Sequence, residues 1–472
     1  VKLDSQDEHF RHLFGTEGQF GVIVELVIRV RPKTAYSKAL LFYFDDTQNV
    51  LGFVDRLTRD SIRPSHLVFY DKSRLAEENL LIRDRLGLPE PILEEHEALL
   101  VHFDDPESEK TFAQSVQATN SCRLSSGPAA DYLWSERYFP LKAQRIGPNL
   151  LASEVLLDTQ SLQKFFPRAR RLGRWFGVDL GFEVIFTAAR QCIVIASFRC
   201  DSRKLASYAT FLLLVQLLVH LATRIGGSPY GIGIWNAPFI RRKYSAGTMR
   251  ELQRLKKEID QNSIMNSGKF FKLRARFFNG PGLFFKPLVY SASLAAMSLL
   301  SPFVGLIAKV LKPEPAKGWA PPAGGEAIGL LAQAATRCTF CGACLSVCPA
   351  YLLTQDELAT GRAKLRLSEA ILSQKEVSPA EAARVFKCLQ CSLCEEVCQT
   401  RLPLVDCYIA LEAQIEKRFG RPTEVLAQFI QSVDQNREWI ERTFGLNVAD
   451  WSPQRRAEKL SEPNPSAAGG KL

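Results

Sequence analysis

The chain has 472 residues, more than one ordinary hydrophobic core accommodates, which calls for a modular molecule of about three units. Hydrophobic residues at 46% and charged residues at 23% exclude a disordered, collagen-like or disulfide-dense chain. Sixty Lys and Arg against fifty Asp and Glu leave a net charge of +10, and seven of the basic residues fall between Lys269 and Lys312, where no acidic residue occurs. An excess confined to those 44 residues points to a membrane surface or an acidic partner met locally, and not to a nucleic-acid-binding protein, whose cations would follow a helix or groove.

In chain order, Gly15 to Gly21 reads as a glycine turn, and the β-branched run Val22 to Val30 as a strand bounded by Pro32. Residues 36–225 alternate strands with helices, as in the strand Ala39 to Phe44, the helix Gln48 to Thr58 and the strand His66 to Tyr70, an α+β pattern. Tyr208 to Thr223 is almost wholly apolar but spans only 16 residues and carries Gln216 and His220, so a buried core helix is expected. Ala246 to Ile259 is an amphipathic helix ended by Asn266-Ser267-Gly268-Lys269. Proline-rich residues 270–325 form a basic and apolar linker, 326–420 a cysteine-rich helical unit, and 421–472 a helical then polar tail whose end is expected to be disordered.

Within the linker, Phe270-Phe271, Phe277-Phe278 and Phe284-Phe285 repeat every seven residues among Lys269, Lys272, Arg274, Arg276 and Lys286. The first two pairs are expected on one helical face, ended by Gly280-Pro281-Gly282, with the cations snorkelling beside them. Pro287 to Ala308 follows, 22 residues without a charge but with four Ser, Gly305 and Pro302. The preferred reading is a hairpin packed between domains; interfacial membrane contact and a full span are the alternatives.

Nine of the twelve cysteines follow residue 330. Cys338-x2-Cys341-x2-Cys344-x3-Cys348-Pro349 recurs fifty residues later as Cys388-x2-Cys391-x2-Cys394-x3-Cys398. Three thiolates at steps of three wrap one corner of a cubane, while the fourth lies too far along to close the same site and serves the other cluster. This assigns Cys338, Cys341, Cys344 and Cys398 to one [4Fe-4S] centre and Cys388, Cys391, Cys394 and Cys348 to a second. Zinc ribbons are the competing reading; they favour C-x2-C pairs across longer gaps and often recruit His, and no His follows His220. Gln399 stands where Pro usually follows the last Cys. Cys122, Cys192, Cys200 and Cys407 are read as small core thiols. This stretch resembles the helical dicluster ferredoxin domains of glycerol-3-phosphate dehydrogenase, glycolate oxidase and succinate dehydrogenase iron–sulfur subunits, with Thr360-Gly361-Arg362 similar to a Gly-Arg step seen there. The N-terminal residues hold no apolar export segment, so a reducing, cytoplasmic compartment is expected.

Three further motifs occur in order. Gly15-Thr16-Glu17-Gly18-Gln19-Phe20-Gly21-Val22-Ile23 is a glycine turn, Leu133-Trp134-Ser135-Glu136-Arg137 precedes Ser153-Glu154-Val155-Leu156-Leu157, and Lys256-Lys257-Glu258-Ile259-Asp260 precedes Asn266-Ser267-Gly268-Lys269. Together they resemble the FAD-linked oxidases of the vanillyl-alcohol oxidase type, in the D-lactate dehydrogenase and glycolate oxidase branch. The resemblance implies that Gly15, Thr16, Gly18, Gly21, Val22 and Ile23 approach FAD and that Arg137 anchors a substrate carboxylate. Taken alone, these residues also fit an ordinary turn and a surface Arg.

Two departures stand beside the resemblance. The family's first FAD subdomain should precede Gly15 by over a hundred residues where fourteen do, so most of the flavin cradle is expected from an N-terminal half or a partner chain. The branch's His-rich metal and base motifs are replaced by Phe186 to Cys192 and Gly226 to Gly233, which contain no His, leaving the catalytic base unidentified.

The fold expected is therefore α+β: residues 1–35 as a remnant of the FAD-binding subdomain, 36–269 as the cap-type domain, then the linker and the dicluster domain. The function expected is oxidation of a small hydroxy acid, with electrons leaving through the clusters to a quinone or soluble carrier, in the cytoplasm or peripherally at the inner face of the membrane. The alternative is a non-catalytic electron-transfer subunit of a larger redox complex.

Overall fold

The computed structural model describes residues 3–448 other than 5, 8, 31, 61, 63, 118–121, 126, 148, 189, 272, 276–282, 286 and 315–325. The chain divides into two compact units. The first comprises Val1–Asn79, Pro91–Ser135 and Asn149–Ala316, the second Leu80–Glu90, Glu136–Pro148 and Lys317–Leu472.

In the first unit eight strands, β1 (Lys38–Phe44), β2 (His66–Tyr70), β3 (Glu97–Phe103), β4 (Cys122–Leu124), β5 (Asn149–Asp158), β6 (Gly181–Ala188), β7 (Gln191–Cys200) and β8 (Ser228–Pro229), form one sheet. Its order is β4-β1-β3-β2-β6-β7-β5-β8, and neighbours run antiparallel throughout, with Lys38 opposite Phe103 and Asn149 opposite Cys200. The period-two pattern explains the layering. Phe42 and Phe44 of β1, Leu99, Val101 and Phe103 of β3, and Phe182 and Val184 of β6 enter a single core, where they meet Phe53, Phe112, Phe165, Phe166 and Phe211 from the covering helices. Each such aromatic contributes about 2 kcal/mol by leaving water. The helix Thr47–Arg59 starts where Asp46 accepts from the Asn49 amide at 2.8 Å, and Ala246–Ile259 where Ser245 accepts from Thr248 at 3.1 Å. The expected core helix is present as Leu205–Arg224.

Two expectations are corrected. Val22 to Val30 forms no strand, and Val24 and Val27 are 93% and 85% exposed. β-Branched residues favour extended backbone, yet ladder hydrogen bonds need an adjacent strand, and among the described residues none pairs here. The helix expected from Phe270 onward is not found among the described residues of the phenylalanine repeat. Phe270 is buried in a turn at φ 64°, packed 4.9 Å from the Phe271 ring, and Leu273–Ala275 (β9) pairs antiparallel with Leu283–Phe285 (β10). Phe277-Phe278, Gly280-Pro281-Gly282, Lys272, Arg276 and Lys286 lie outside the described residues, as do Pro315, Pro321, Pro322 and the polar end of the tail.

The uncharged stretch after the hairpin folds as the helix Pro287–Leu300, a single 3₁₀ turn at Ser301–Phe303 and the helix Val304–Leu311. Val304 and Ala308 enter the first unit's core, and Gly305 lies so close to Trp175 that an added Cβ would meet the ring at 3.3 Å. The opposite side is bare: Phe303, Leu306 and Val310 are exposed.

In the second unit the helices Glu326–Arg337, Gly361–Leu372 and Leu404–Phe419 enclose Leu331, Leu365, Ile371, Leu402, Tyr408 and Leu411. A smaller apolar group gathers Ala350, Leu389, Phe429, Val433 and Ile440 under the helices Thr423–Gln435 and Arg437–Phe444.

Candidate functional site

The cysteines sit on two loops with matching backbone. Phe340 and Gln390, each just before the second Cys of its motif, both take φ 52°, and Gly342 and Ser392, each just after it, are left-handed at 82° and 62°. These turns fold three sulfurs back around one point before the short helices Ala343–Ser346 and Leu393–Glu396 carry the chain away. One small cavity is lined by Cys338, Cys341, Cys344 and Cys398, the other by Cys348, Cys388, Cys391 and Cys394. Each quartet thus draws three sulfurs from one motif and the last from the other. Among the described residues no three His, Cys, Asp or Glu side chains converge as a single ion requires.

The surroundings fit an anionic iron–sulfur cage. Backbone amides of Gln390 and Leu402 lie 3.4 Å from the sulfurs of Cys388 and Cys398. Burial pushes the free thiols of Cys338 and Cys348 up to about 11 and raises that of Cys394 beyond them, so thiolates at these three positions need bound cations. Gly361 begins its helix against Tyr408 and Cys344; a Cβ there would collide with the Tyr408 hydroxyl and stand 3.4 Å from the Cys344 sulfur. Tyr408 itself is buried, its hydroxyl 3.9 Å from the Cys394 sulfur.

In the first unit the glycine turn and the closing motif meet. Gly15 and Gly18 are left-handed at φ 70° and 67°, and Glu17 joins them at 57°. The Lys256 ammonium, beside Asp260 at 2.7 Å, donates to the Gln19 carbonyl at 2.7 Å and the Met265 carbonyl at 2.6 Å. Gln19 reaches the carbonyls of Asn266 and Lys269 at 3.0 and 3.1 Å, and Asn266 donates to the Glu17 carbonyl. Thr16 is buried, its hydroxyl on the His12 carbonyl at 2.7 Å; Val22 and Ile23 are exposed, and nothing lies within 4 Å of a Cβ added at Gly21.

A cavity of about 350 Å³ opens beside this turn, lined among others by Glu17, Ser153, Glu154, Gln216, Trp235 and Asn236. The Ser153 hydroxyl and the Asn236 side-chain oxygen Oδ1 are buried without a hydrogen-bond partner, and partial burial raises the Glu154 carboxyl above its usual range. Gln216, Trp235 and Asn236 escaped sequence reasoning because they lie in an apolar helix and a glycine-rich loop, with no motif of their own.

Arg137 belongs to the second unit, 4.1 Å above the Tyr138 ring, and is not among the residues lining that cavity. Its neighbours in the motif do structural work. Trp134 stacks on His102 at 3.7 Å. Glu136 is buried among Arg85 at 2.5 Å, Arg401 at 2.9 Å and Lys142 at 3.7 Å. Burial alone would raise its pKa, but Arg401, Lys142 and Arg85 together hold it below the usual carboxylate range. Partners 51 and 265 residues away leave no local signal.

Comparison with known proteins agrees with this architecture. Residues 334–402 match the 4Fe-4S dicluster domain, and residues 33–270 match the C-terminal domain of FAD linked oxidases. The chain is 21% identical over 280 residues to glycolate oxidase subunit GlcD of Bacillus subtilis strain 168, covering 56% of this chain and 57% of that one. Over 61 residues it is 36% identical to the glycolate oxidase iron–sulfur subunit of Escherichia coli K12, covering 13% of this chain and 15% of the relative. An alkyldihydroxyacetonephosphate synthase structure is similar at 16% identity and TM-score 0.42, covering 57% of this chain and 52% of that chain. The chain thus spans a little over half the length of the relative matched along the flavin domain. The two domains bring FAD and two [4Fe-4S] clusters as cofactors. With half of its length matched by one family, the chain belongs to the FAD-linked oxidases through their C-terminal domain, and it carries a 4Fe-4S dicluster domain behind it.

Proposed function

We propose that this chain supplies the substrate-facing and electron-exit parts of a dehydrogenase acting on a small 2-hydroxy acid of the D-lactate or glycolate kind. The observation that carries the reading is the presence, in one chain, of an FAD-oxidase C-terminal domain and eight cysteines gathered into two quartets. Bound FAD takes a hydride, two electrons at once, whereas each cluster carries one. Cys338, Cys341, Cys344 and Cys398 hold one cluster and Cys388, Cys391, Cys394 and Cys348 the other. Gly15, Thr16, Gly18, Gly21, Val22 and Ile23 offer backbone to FAD, the remainder of whose site comes from a further segment or a partner chain. Glu154, with its raised pKa, accepts the hydroxyl proton, and Ser153 and Asn236 orient the substrate through their unspent polar atoms. Arg137 is the separate assignment for the carboxylate; Arg137→Lys raises KM if it holds, and an unchanged KM removes it.

Electrons leave to a quinone or a soluble carrier. The bare side of Val304–Leu311 supports a peripheral membrane contact on the cytoplasmic side: the stretch Leu294–Leu311 has a mean hydropathy of 1.9 and only 11% of it is buried. Lys309 and Lys312 flank that side, and exposed Arg171 and Arg174 lie on the helix Leu162–Trp175 against which it packs. Sedimentation with phosphatidylglycerol vesicles, but not with phosphatidylcholine vesicles, is expected.

The test of the function is production of this chain together with the flavin-bearing segment, followed by anaerobic addition of D-lactate or glycolate. Bleaching of the iron–sulfur absorbance is expected. Preparations with full flavin and iron content that no 2-hydroxy acid bleaches would overturn the reading. They would favour a non-catalytic electron-transfer subunit, in line with the lack of His in Phe186 to Cys192 and Gly226 to Gly233.

A further inference from the structure

The two cysteine loops share a backbone but not a charge environment. Around Cys348, Cys388, Cys391 and Cys394 stand two buried donors with nothing to donate to. Lys364 is 0% exposed and its Nζ has no hydrogen-bond partner; it lies 4.6 Å over the ring of Tyr408, which lines this cavity with its hydroxyl 3.9 Å from the Cys394 sulfur. Gln390 lines the cavity, is 8% exposed, and its Nε2 is likewise unpartnered. A buried ammonium with no counter-charge costs several kcal/mol, so a partner is required, and an anionic cage held by four thiolates supplies one.

Beside the other quartet the buried donors belong to cations already paired: the Nε atoms of Arg337 and Arg401 find no acceptor, but their guanidinium groups face Asp84 and Glu136. At the position equivalent to Gln390 stands Phe340, 46% exposed and without a side-chain donor. The nearby cation is Arg362, which is 32% exposed and bonded to Glu357 at 2.9 Å. Arg401, three residues after Cys398, is tied to Glu136 at 2.9 Å. Lys387, adjacent to Cys388, pairs with Asp356 at 3.0 Å and adds little to the contrast. Cations neutralised by a carboxylate or screened by water exert a weak field, whereas one enclosed in protein keeps most of its own.

We propose that the cluster held by Cys348, Cys388, Cys391 and Cys394 is the higher-potential member of the pair, because Lys364 and Gln390 donate their unspent hydrogen bonds to its sulfurs. An electron shared between the two bound clusters would then rest on that one. No bond to a ligand is made or broken; one negative charge moves, and a cation already in place meets it. Lys364 and Gln390 are positioning residues, acting on the cluster and not on substrate. The inference rests on the ligand assignment proposed above.

The test uses the full chain with both clusters loaded, with iron and sulfide content checked first; failure at that step would count against the dicluster assignment itself. Protein labelled with ε-¹⁵N-lysine is reduced until only its higher-potential cluster is paramagnetic. Pulsed EPR is then expected to show a ¹⁵N coupling. Lys364→Met removes that coupling and lowers one potential by about a factor of ten in the reduced-to-oxidised ratio, 59 mV for one electron, while the other potential stays. Gln390→Leu lowers the same potential by less, and Arg362→Gln moves neither. Absence of the coupling in the wild-type protein overturns the proposal, as does a fully loaded Lys364→Met protein with unchanged potentials. Should Lys364→Met fail to load its clusters, the wild-type spectrum alone decides.

Discussion

The first unit closes an eight-stranded sheet over a core of interlocked aromatics such as Phe165, Phe166 and Phe182. The second has no comparable sheet among its described residues. Two of its helices are four residues long, and its apolar groups lean on Cys338, Cys388, Cys394 and Cys398 in one cluster and on Cys348 and Cys391 in the other. One unit is held by apolar area removed from water, whereas in the other the cysteines proposed as iron ligands are also part of the packing. The contrast teaches that clusters bound at the proposed ligands would act as structural elements of the second unit, because ligand packing couples metal binding to folding.

The largest expected effect separates the units outright. Anaerobic chelation of iron should strip hydrogen-exchange protection from residues 326–444 and leave β1 to β7 protected; equal loss in both would break the distinction. Next in size, Phe165→Ala opens a cavity in the first core and should cost about 3–5 kcal/mol in chemical denaturation, with the iron–sulfur spectrum unchanged. Glu136→Ala strands Arg401, Lys142 and Arg85 in the second unit and should cost about 3 kcal/mol there. Because the Glu136 pKa is lowered on folding, its contribution is present at neutral pH and lost as pH falls through the carboxylate range, so variant and wild type converge in acid.

The smallest effect belongs to Asp71, whose carboxyl burial pushes up to about 6, against the pull of the Phe182 and Arg74 amides and of Arg170. A folded-state pKa above the unfolded value of 3.8 means that stability declines as pH rises from about 4 to 6 and levels off above. Asp71→Asn should flatten that part of the pH profile, read from denaturation midpoints, and a profile of unchanged slope would show that Asp71 does not set it.

What could be read from the sequence follows the range of the interactions. The cysteine spacing and the capped, periodic helix Ala246–Ile259 are local, and both are legible. The turn at Gly15 to Gly21 is visible, but its clasp by Lys256 and Asn266, about 240 residues on, shows only in three dimensions. Val22 to Val30 misled because composition reports a preference for extended backbone and says nothing of whether a neighbour is present. Phe270-Phe271 misled because a regular interval between aromatics says nothing of the turn that Phe270 adopts at φ 64°. Lys364 carries no signature at all: its position within Thr360-Gly361-Arg362-Ala363-Lys364 looks like one more solvated cation until its burial is known.

The bare valine and isoleucine ribbon from Val22 to Val30 carries a practical consequence. Nine exposed residues in no regular structure, rich in β-branched side chains and with only Glu25 and Arg29 as charged gatekeepers, make a template for strand addition between identical molecules. Concentrated preparations of this chain should self-associate through that ribbon, and a lysine placed at Val24 or Val27 should restore colloidal behaviour without disturbing either unit.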